Sequence, residues 1–473
     1  MKQDKKMIYT IAAIFMLIFA VLVGYLIYFT IFKQKEISTH GQNTRMNTLE
    51  SEVIRGKIYD THADDNILLA YTDEQGNRVY PYGKQDAHVV GYSQYGKTGI
   101  EALANSTLLY PNYNLLSILK MAFLNEKFEG RDIVTTLNQT YQSKVAEAMS
   151  GKRGAVVVLE ASTGKILALY SGPTFDPNEI GENWNILSTD EENSPLLNRA
   201  TKGLYPPGSI FKVVTSLAYM RQNEQAGLPL DFTYDCTGSI SGNEYTIQCF
   251  NGTAHGKVDL YHAFAKSCNS YFVALGRQLK GDQLKETAES LGFNQSLNVD
   301  LGYSASRFNL QMNDSEFEKA ATAIGQGRTL TTPLHMAMLA SAIINNGVSM
   351  KPYLVDHAMK HGRQIVNKQK PVELGDLLKK EEAYELQSLM EGVVDHGTAV
   401  TLPEKGLVVG GKTGTAENET EADHSWFMGY AYDPNETPRN AIAFAVVVEG
   451  GGKGAQALTV SDSILEAYRS EAK

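Results

Sequence analysis

The stretch Leu204–Tyr219 reads LYPPGSIFKVVTSLAY and is the clearest structural signal in this chain. Two prolines and a glycine precede Ser209, and an apolar run with a lysine three residues further on follows it. Proline and glycine disfavour helix before the serine, whereas the apolar run favours helix after it. We therefore predict that a helix begins at Ser209, with Lys212 on the same face. A serine in that position lies among unpaired N–H groups, which stabilise an oxyanion.

Spacing alone does not single out this serine. Ser-x-x-Lys also occurs at Ser117–Lys120, Ser162–Lys165 and Ser470–Lys473. Ser162 falls in a predicted hairpin turn and Ser470 in the last residues, so neither pair is held together. Ser117 lies in an upstream region that lacks companion motifs. Context therefore favours Ser209.

Two further motifs follow Ser209 in the chain. Ser267–Asn269 (SCN) lies inside an apolar run that predicts one helix, where polar side chains need partners. Lys412–Thr415 (KTGT) lies in a run that predicts a strand. A serine nucleophile needs a nearby base and donors aimed at the oxyanion, and the three motifs together supply them in one class of acyl-transfer enzymes. The other triplets of these types lie in loop-like sequence: Ser241–Asn243, Ser296–Asn298 and Lys97–Gly99.

Strand-like runs flank the motifs on both sides. Residues 154–160 and 165–171 predict a hairpin, and residues 406–417, 424–432 and 441–450 predict three more strands. Helical spacing dominates between the two groups. The pattern predicts a mixed α/β fold, in which a five-stranded antiparallel sheet is built from both ends and flanked by helices.

The N-terminal region has a different composition. Residues 7–32 are uncharged and almost wholly apolar, and at about 1.5 Å per residue they exceed a hydrocarbon core of about 30 Å. We predict one transmembrane helix there, after a cytoplasmic tail of residues 1–6, because lysines are more frequent before the segment. Residues 33–150 are interpreted as a linker and a small α+β pedestal module, and residues 151–473 as the catalytic domain.

Charge and cysteine usage narrow the function further. The formal net charge is −10, which argues against a broad basic surface for nucleic acid. The cysteines Cys236, Cys249 and Cys268 show no spacing typical of a zinc site, so no metal and no cofactor are predicted. Whether Cys236 and Cys249 form a disulfide is left open.

The motifs and their surroundings resemble those of class B penicillin-binding proteins of the short PbpA type. The resemblance spans the region after the apolar segment and includes IRGKIYD, HVVGYSQYGKTGIE, GRDIVTTLNQTYQ, KSCNSYF, AIGQGRTLTTPLHMAM and EGVVDHGTA. It implies the penicillin-binding transpeptidase fold, which is shared with serine β-lactamases. The implied roles are nucleophile for Ser209, base for Lys212, proton relay for Ser267, substrate-backbone binding for Asn269, carboxylate binding for Lys412, Thr413, Gly414 and Thr415, and an oxyanion hole from the N–H groups of Ser209 and Thr415. Because a lysine has a pKa near about 10.4, burial and the charge of Lys412 would have to lower the pKa of Lys212.

The implied activity is that of a membrane-anchored, extracytoplasmic peptidoglycan D,D-transpeptidase. Its substrates would be stem peptides ending in D-Ala-D-Ala, β-lactams would acylate the same serine, and a SEDS-family glycan polymerase would be a partner. A D,D-carboxypeptidase, a β-lactamase and a non-enzymatic β-lactam-binding scaffold or sensor are the alternatives. A β-lactamase needs a base for the deacylating water, for which the sequence offers no convincing counterpart. The role in division, elongation or sporulation, the stem-peptide chemistry and the oligomeric state are left open.

Overall fold

A computed structural model of the chain describes residues 2–28, 53–110, 127–243, 245–280, 282–311, 313–360, 364–402, 406–417, 422–435, 440–452 and 455–471. Its strands are β1 Val53–Ile54, β2 Ile58–Tyr59, β3 Leu68–Thr72, β4 Arg78–Val79, β5 Phe128–Glu129, β6 Asp132–Thr135, β7 Gly154–Glu160, β8 Ile166–Gly172, β9 Tyr234–Cys236, β10 Ser239–Ser241, β11 Thr246–Gln248, β12 Gly256–Val258, β13 Val348–Met350, β14 Val355–Lys360, β15 Gln364–Val366, β16 Glu373–Asp376, β17 Val408–Ala416, β18 His424–Tyr432 and β19 Ile442–Val448.

The α-helices are α1 Lys2–Tyr28, α2 Ala87–Val90, α3 Gly99–Leu103, α4 Asn105–Leu108, α5 Gln139–Ala148, α6 Ile180–Thr189, α7 Arg199–Lys202, α8 Lys212–Ala226, α9 Leu260–Ala265, α10 Asn269–Gln278, α11 Gln283–Ser290, α12 Glu316–Ala323, α13 Pro333–Ile344, α14 Lys380–His396 and α15 Ala455–Glu471. Short 3₁₀ turns lie at Ala63–Asp65, Gly83–Gln85, Pro177–Glu179, Gly208–Phe211 and Phe250–Gly252.

The central sheet has the strand order β17-β18-β19-β7-β8, and each neighbouring pair is antiparallel. The hairpin β7–β8 and the three C-terminal strands follow the predicted segments. Helices α13 and α14 pack on one face of the sheet, and α5 and α15 pack on the other. Because both faces are covered, β7 and β19 are apolar at nearly every position instead of alternating with polar residues. The strand that carries the KTGT motif, β17, is an edge strand.

A second sheet joins the two parts of the chain. The elements before residue 150 form the pedestal, whose strands β2, β3, β4 and β6 belong to a sheet of order β15-β14-β6-β2-β3-β4. This sheet is mixed, because β2 and β6 are parallel whereas β6 and β14 are antiparallel. The predicted boundary at residue 150 stays a prediction, and the hydrogen-bonded strands cross it.

The single helix predicted around Ser267 is wrong. Helix α9 ends at Ala265 and α10 begins at Asn269, with Ser267 in the left-handed region at φ 54°. The turn is closed by hydrogen bonds from Ser267 N to Phe264 O and from Cys268 N to Ala263 O. The Cys268 side chain then caps α10 by accepting from Tyr271 N. These local bonds replace the helical ones that a continuous apolar pattern predicts.

The predicted transmembrane helix is also not found among the described residues. Helix α1 covers Lys2–Tyr28, and residues 29–32 of the predicted segment lie outside the described ranges. In the part of the chain that the structure describes, no helix combines the length and the apolar character that crossing a bilayer requires.

Candidate active site

A cleft of about 1250 Å³ opens beside the free edge of β17. Five of the residues predicted from the motifs line it: Ser209, Ser267, Asn269, Thr413 and Thr415. They come from three separate segments of the chain, so the fold brings the three predicted motifs together at one place.

Ser209 lies in a tight turn that glycine makes possible. The turn Gly208–Phe211 is 3₁₀, and the α-helix proper begins at Lys212, one turn later than predicted. Gly208 has φ +53°, and a Cβ there would lie 2.4 Å from the carbonyl oxygen of Thr415. Its N–H donates to Gly325 O at 2.8 Å. The backbone beside Ser209 therefore lies directly against the strand that carries Thr415.

Trp426 holds the other side of this turn. Its indole Nε1 donates to Pro206 O at 3.1 Å, and its side chain is fully buried on β18. The core thereby fixes the backbone immediately before the Ser209 turn.

Lys212 is a fully buried amine with three oxygen neighbours. Its Nζ lies 2.7 Å from Ser267 O, 2.7 Å from Asn269 Oδ1 and 3.2 Å from Ser267 Oγ. Burial lowers its pKa to about 7, and charge interactions with Cys268 and Cys249 partly oppose this shift. The expected contribution of Lys412 is not among the causes. Near neutral pH a large fraction of Lys212 is therefore an uncharged amine, which is what a base requires.

The neutral amine has a definite set of partners here. It carries two hydrogens and one lone pair, so Ser267 O and Asn269 Oδ1 accept the hydrogens and the lone pair is free for a hydroxyl. Ser267 Oγ is the hydroxyl within hydrogen-bond distance. Within the described residues no hydrogen bond joins Ser209 to Lys212; contacts of this kind are often long in a site without substrate.

Asn269 connects two walls of the cleft. Its Oδ1 accepts from Lys212, and its Nδ2 donates to Gln248 O at 2.9 Å. The segment that carries Ser267 is thereby fixed to Lys212 on one side and to the end of β11 on the other.

Lys412 lies behind the cleft wall, whereas its neighbours Thr413 and Thr415 line the cleft. Side chains alternate along a strand, so Lys412 points inwards, and its Nζ donates to Thr413 O at 3.1 Å. Burial first, and the charge of Lys212 second, lower the pKa of Lys412 well below its usual range. Gly414 sits where a Cβ would lie 2.9 Å from Trp426 Cβ, so glycine keeps β17 close to β18.

Other cleft residues were not predicted from the sequence. Thr398 hydrogen-bonds to Thr413 through the two hydroxyls, and Gln326 Nε2 donates to Thr415 O at 3.5 Å. Thr398 and Gln326 both lie in sequence stretches that resemble the family, but the sequence alone indicated no role for either residue. Glu417 and Asp423 also line the cleft.

The competing Ser-x-x-Lys pairs lie elsewhere. Ser162–Lys165 occupies the turn between β7 and β8, as predicted, and Ser470 is on α15. Ser117–Lys120 lies outside the described residues.

Comparisons with known proteins place this chain in one family. Residues 154–468 match the penicillin binding protein transpeptidase domain. The peptidoglycan D,D-transpeptidase PbpA of Mycolicibacterium smegmatis is 33% identical over 81% of this chain and 82% of its own length. Among solved structures, the D,D-transpeptidase domain of a peptidoglycan glycosyltransferase from Eggerthella lenta is 31% identical, with a TM-score of 0.78 over 89% of this chain and 99% of that one. Penicillin-binding protein A of M. tuberculosis, solved as an imipenem acyl-enzyme complex, is 30% identical, with a TM-score of 0.77 over 88% of this chain and 99% of that one.

These similarities cover most of the chain at sequence and structure level alike. The expected penicillin-binding transpeptidase fold, of mixed α/β class, is confirmed. The chain belongs to the penicillin-binding protein transpeptidase family, with PbpA-type class B proteins among its relatives.

Proposed function

We propose that this chain is a serine-type peptidoglycan D,D-transpeptidase, with Ser209 as its nucleophile and Lys212 as the base. The observation that carries this assignment is the buried Lys212 amine, with a pKa of about 7, hydrogen-bonded to both polar residues of the SCN motif. The relatives named as D,D-transpeptidases and the acyl-enzyme complex of a similar protein support it.

In the first step, Ser209 Oγ bonds to the carbonyl carbon of the penultimate D-Ala of a stem peptide, and its proton passes to Lys212. The N–H groups of Ser209 and Thr415 stabilise the resulting oxyanion. The C–N bond then breaks, and Ser267 relays a proton to the departing D-Ala amine. Asn269 binds the backbone of the substrate.

In the second step, the amine of a neighbouring stem peptide attacks the ester carbonyl. A new peptide bond forms, the ester bond breaks, and Ser209 regains its proton. β-Lactams would open on Ser209 by the first step and remain as the ester.

Segment 412–415 would bind the terminal carboxylate of the substrate. A carboxylate at Thr413 and Thr415 favours the charged form of Lys412 behind them, although burial opposes that form in the free site. A charged Lys412 in turn favours the neutral form of Lys212. Substrate binding would thereby increase the basic fraction of Lys212.

The test is labelling with penicillin, followed by intact mass and peptide mapping. We expect one stable adduct on Ser209, lost in Ser209→Ala and kept in Ser162→Ala, a serine of the second Ser-x-x-Lys pair. An adduct on another residue, or one released within seconds, contradicts the proposal. Incubation with a pentapeptide and an acceptor amine then distinguishes the acceptors: cross-linked product supports transfer, and tetrapeptide alone indicates a D,D-carboxypeptidase.

We also propose that the enzyme works at the cell membrane, with its N-terminus cytoplasmic and its catalytic domain extracytoplasmic, beside a SEDS-family polymerase. The family resemblance supports this location, and the exposed large apolar side chains of α1, among them Met7, Phe15, Leu17 and Phe19, support contact with a membrane surface. Protease added outside spheroplasts should digest the catalytic domain. Protection of that domain, or recovery of the chain in the soluble fraction, contradicts the location. Failure of a SEDS polymerase to co-purify contradicts the partner.

A further inference from the structure

Three cysteines and one histidine converge beside the catalytic cleft. Cys236 ends β9, Cys249 follows β11, His255 precedes β12, and Cys268 caps α10. One ligand atom from each of them lies within 4.8 Å of all the others. The three cysteines are free and almost fully buried.

The spacing of these atoms fits tetrahedral coordination of one ion. Cys236 Sγ lies 3.6 Å from Cys249 Sγ and 3.4 Å from His255 Nδ1, and Cys249 Sγ lies 3.8 Å from Cys268 Sγ. With Zn–S bonds of about 2.3 Å and a Zn–N bond of about 2.0 Å, a tetrahedron places two sulfurs about 3.8 Å apart and sulfur and nitrogen about 3.5 Å apart. These three separations match the corresponding edges, and the other ligand atoms lie no more than 4.8 Å apart.

We propose that Cys236, Cys249, His255 and Cys268 bind one Zn²⁺ ion as a closed structural site. Three sulfurs and one imidazole nitrogen form a donor set that favours zinc over calcium or magnesium, which prefer oxygen. Binding replaces the thiol protons by metal bonds and releases those protons to solvent, with no change of oxidation state.

The position of the site gives it a consequence for the cleft. Cys268 lies between Ser267 and Asn269, and Cys249 directly follows Gln248, whose carbonyl accepts from Asn269. Zinc would hold these two segments together from behind, in addition to that one hydrogen bond. This consequence rests on the proposed function, whereas the metal site itself does not.

The first experiment measures the zinc content of the full-length chain, purified in detergent with a tag that binds no metal. We expect one zinc per chain. Titration with a mercurial reagent should release that zinc as three thiols react, which tests the ligand set without any substitution. The variants Cys236→Ser and His255→Ala should lose most of the zinc, whereas the matched control His262→Ala, an exposed histidine on α9, should keep it.

Three results would overturn the proposal. One is an absence of bound zinc after equilibration with a zinc salt and dialysis. Another is a zinc content that His255→Ala and Cys236→Ser leave unchanged. The last is a Cys236–Cys249 disulfide in the purified chain, seen as a two-hydrogen mass loss and a linked peptide.

The consequence for the cleft has its own readout. Zinc removal by a chelator should slow acylation by a fluorescent penicillin about tenfold or more, and restoring zinc should reverse this, because small displacements of positioned groups carry large rate effects. Unchanged acylation of a zinc-free chain would refute the proposal that zinc positions Ser267 and Asn269, but it would not contradict zinc binding itself. If the zinc-loaded chain does not react with penicillin at all, the proposed function is wrong, whereas the proposed metal site is unaffected.

Discussion

The pedestal and the catalytic centre both bury charged side chains, and they differ in how burial is compensated. In the pedestal, Glu101 is fully buried, and its two oxygens accept from Arg55 and Arg78. Burial alone would raise the pKa of Glu101, but the two arginines lower it overall, so it stays ionised. In the catalytic centre, Lys212 and Lys412 are equally buried, and within the described residues neither pairs with a carboxylate.

The cost of desolvating a buried charge therefore has two different outcomes in this molecule. An ion pair offsets desolvation and leaves an inert structural cluster. Without a pair, desolvation lowers the pKa of Lys212 to about 7 and produces a base at neutral pH. Four experiments test or sharpen this contrast.

Removal of the amine should have the largest effect. We expect Lys212→Met to lower the rate constant of acylation by at least about a thousandfold, because proton transfer from Ser209 loses its acceptor. Its melting temperature should change little, because the cost of burying the amine is removed while Ser267 O and Asn269 Oδ1 lose their donor. Lys202→Met, at an exposed lysine, should change neither quantity. Near-normal acylation in Lys212→Met would show that another group is the base.

Breaking the buried cluster of Glu101, Arg55 and Arg78 in the pedestal should lower stability and leave acylation unchanged. Glu101→Gln leaves Arg55 and Arg78 buried without a carboxylate, and we expect a loss of about 3 kcal/mol in the free energy of unfolding. Acylation below the melting temperature should be unchanged. Chemical denaturation measures the loss, and Glu147→Gln, an exposed residue of α5, is the control. A loss of acylation without a loss of stability would contradict the contrast.

Two glycines that flank α8 allow a further comparison, which involves no charged group. Gly208 and Gly227 both have positive φ, but a Cβ at Gly208 meets Thr415 O at 2.4 Å, whereas nothing lies within 4 Å at Gly227. Gly208→Ala should slow acylation by about a hundredfold, because Ser209 and Thr415 would separate. Gly227→Ala should cost about 1 kcal/mol of stability and leave acylation intact. Equal acylation rates in the two variants would refute the dependence on close backbone approach.

The pH dependence should show the smallest effect. Below its pKa of about 7 Lys212 is protonated and cannot accept a proton, so acylation should fall about tenfold per pH unit below that value and level off above it. The direction is the same as for a carboxylate held ionised, such as Glu101, but there acidification removes stability and not activity. Pre-steady-state rates across this range measure the profile. A rate that is flat through pH 7 would show that Lys212 does not limit acylation.

The sequence predicted the parts of the molecule that depend on local patterns. The β7–β8 hairpin and the three C-terminal strands follow from apolar runs bounded by glycine and proline, as does the helix after Ser209, although it begins only at Lys212. The prediction that Ser162 lies in a hairpin turn was also confirmed.

Features that depend on tertiary contacts were missed. The break at Ser267 is invisible in a continuous apolar run, because the Ser267 carbonyl bonds to Lys212, which comes from another helix. The cluster of Cys236, Cys249, His255 and Cys268 is spread over several short strands, with no closely spaced ligand pair to signal it. The Thr398–Thr413 contact likewise joins segments that meet only through packing.

The sheet shared by the pedestal and the catalytic part has a consequence for the order of events during synthesis. Strand β6 emerges early from the ribosome, yet Thr135 pairs with Val355 on β14, which is made much later. Until then, one edge of β6 has unpaired N–H and C=O groups, and such edges invite pairing with other chains. The nascent pedestal is therefore dependent on the later part of the chain, and a pause in synthesis before residue 355 would leave its sheet open to misassembly.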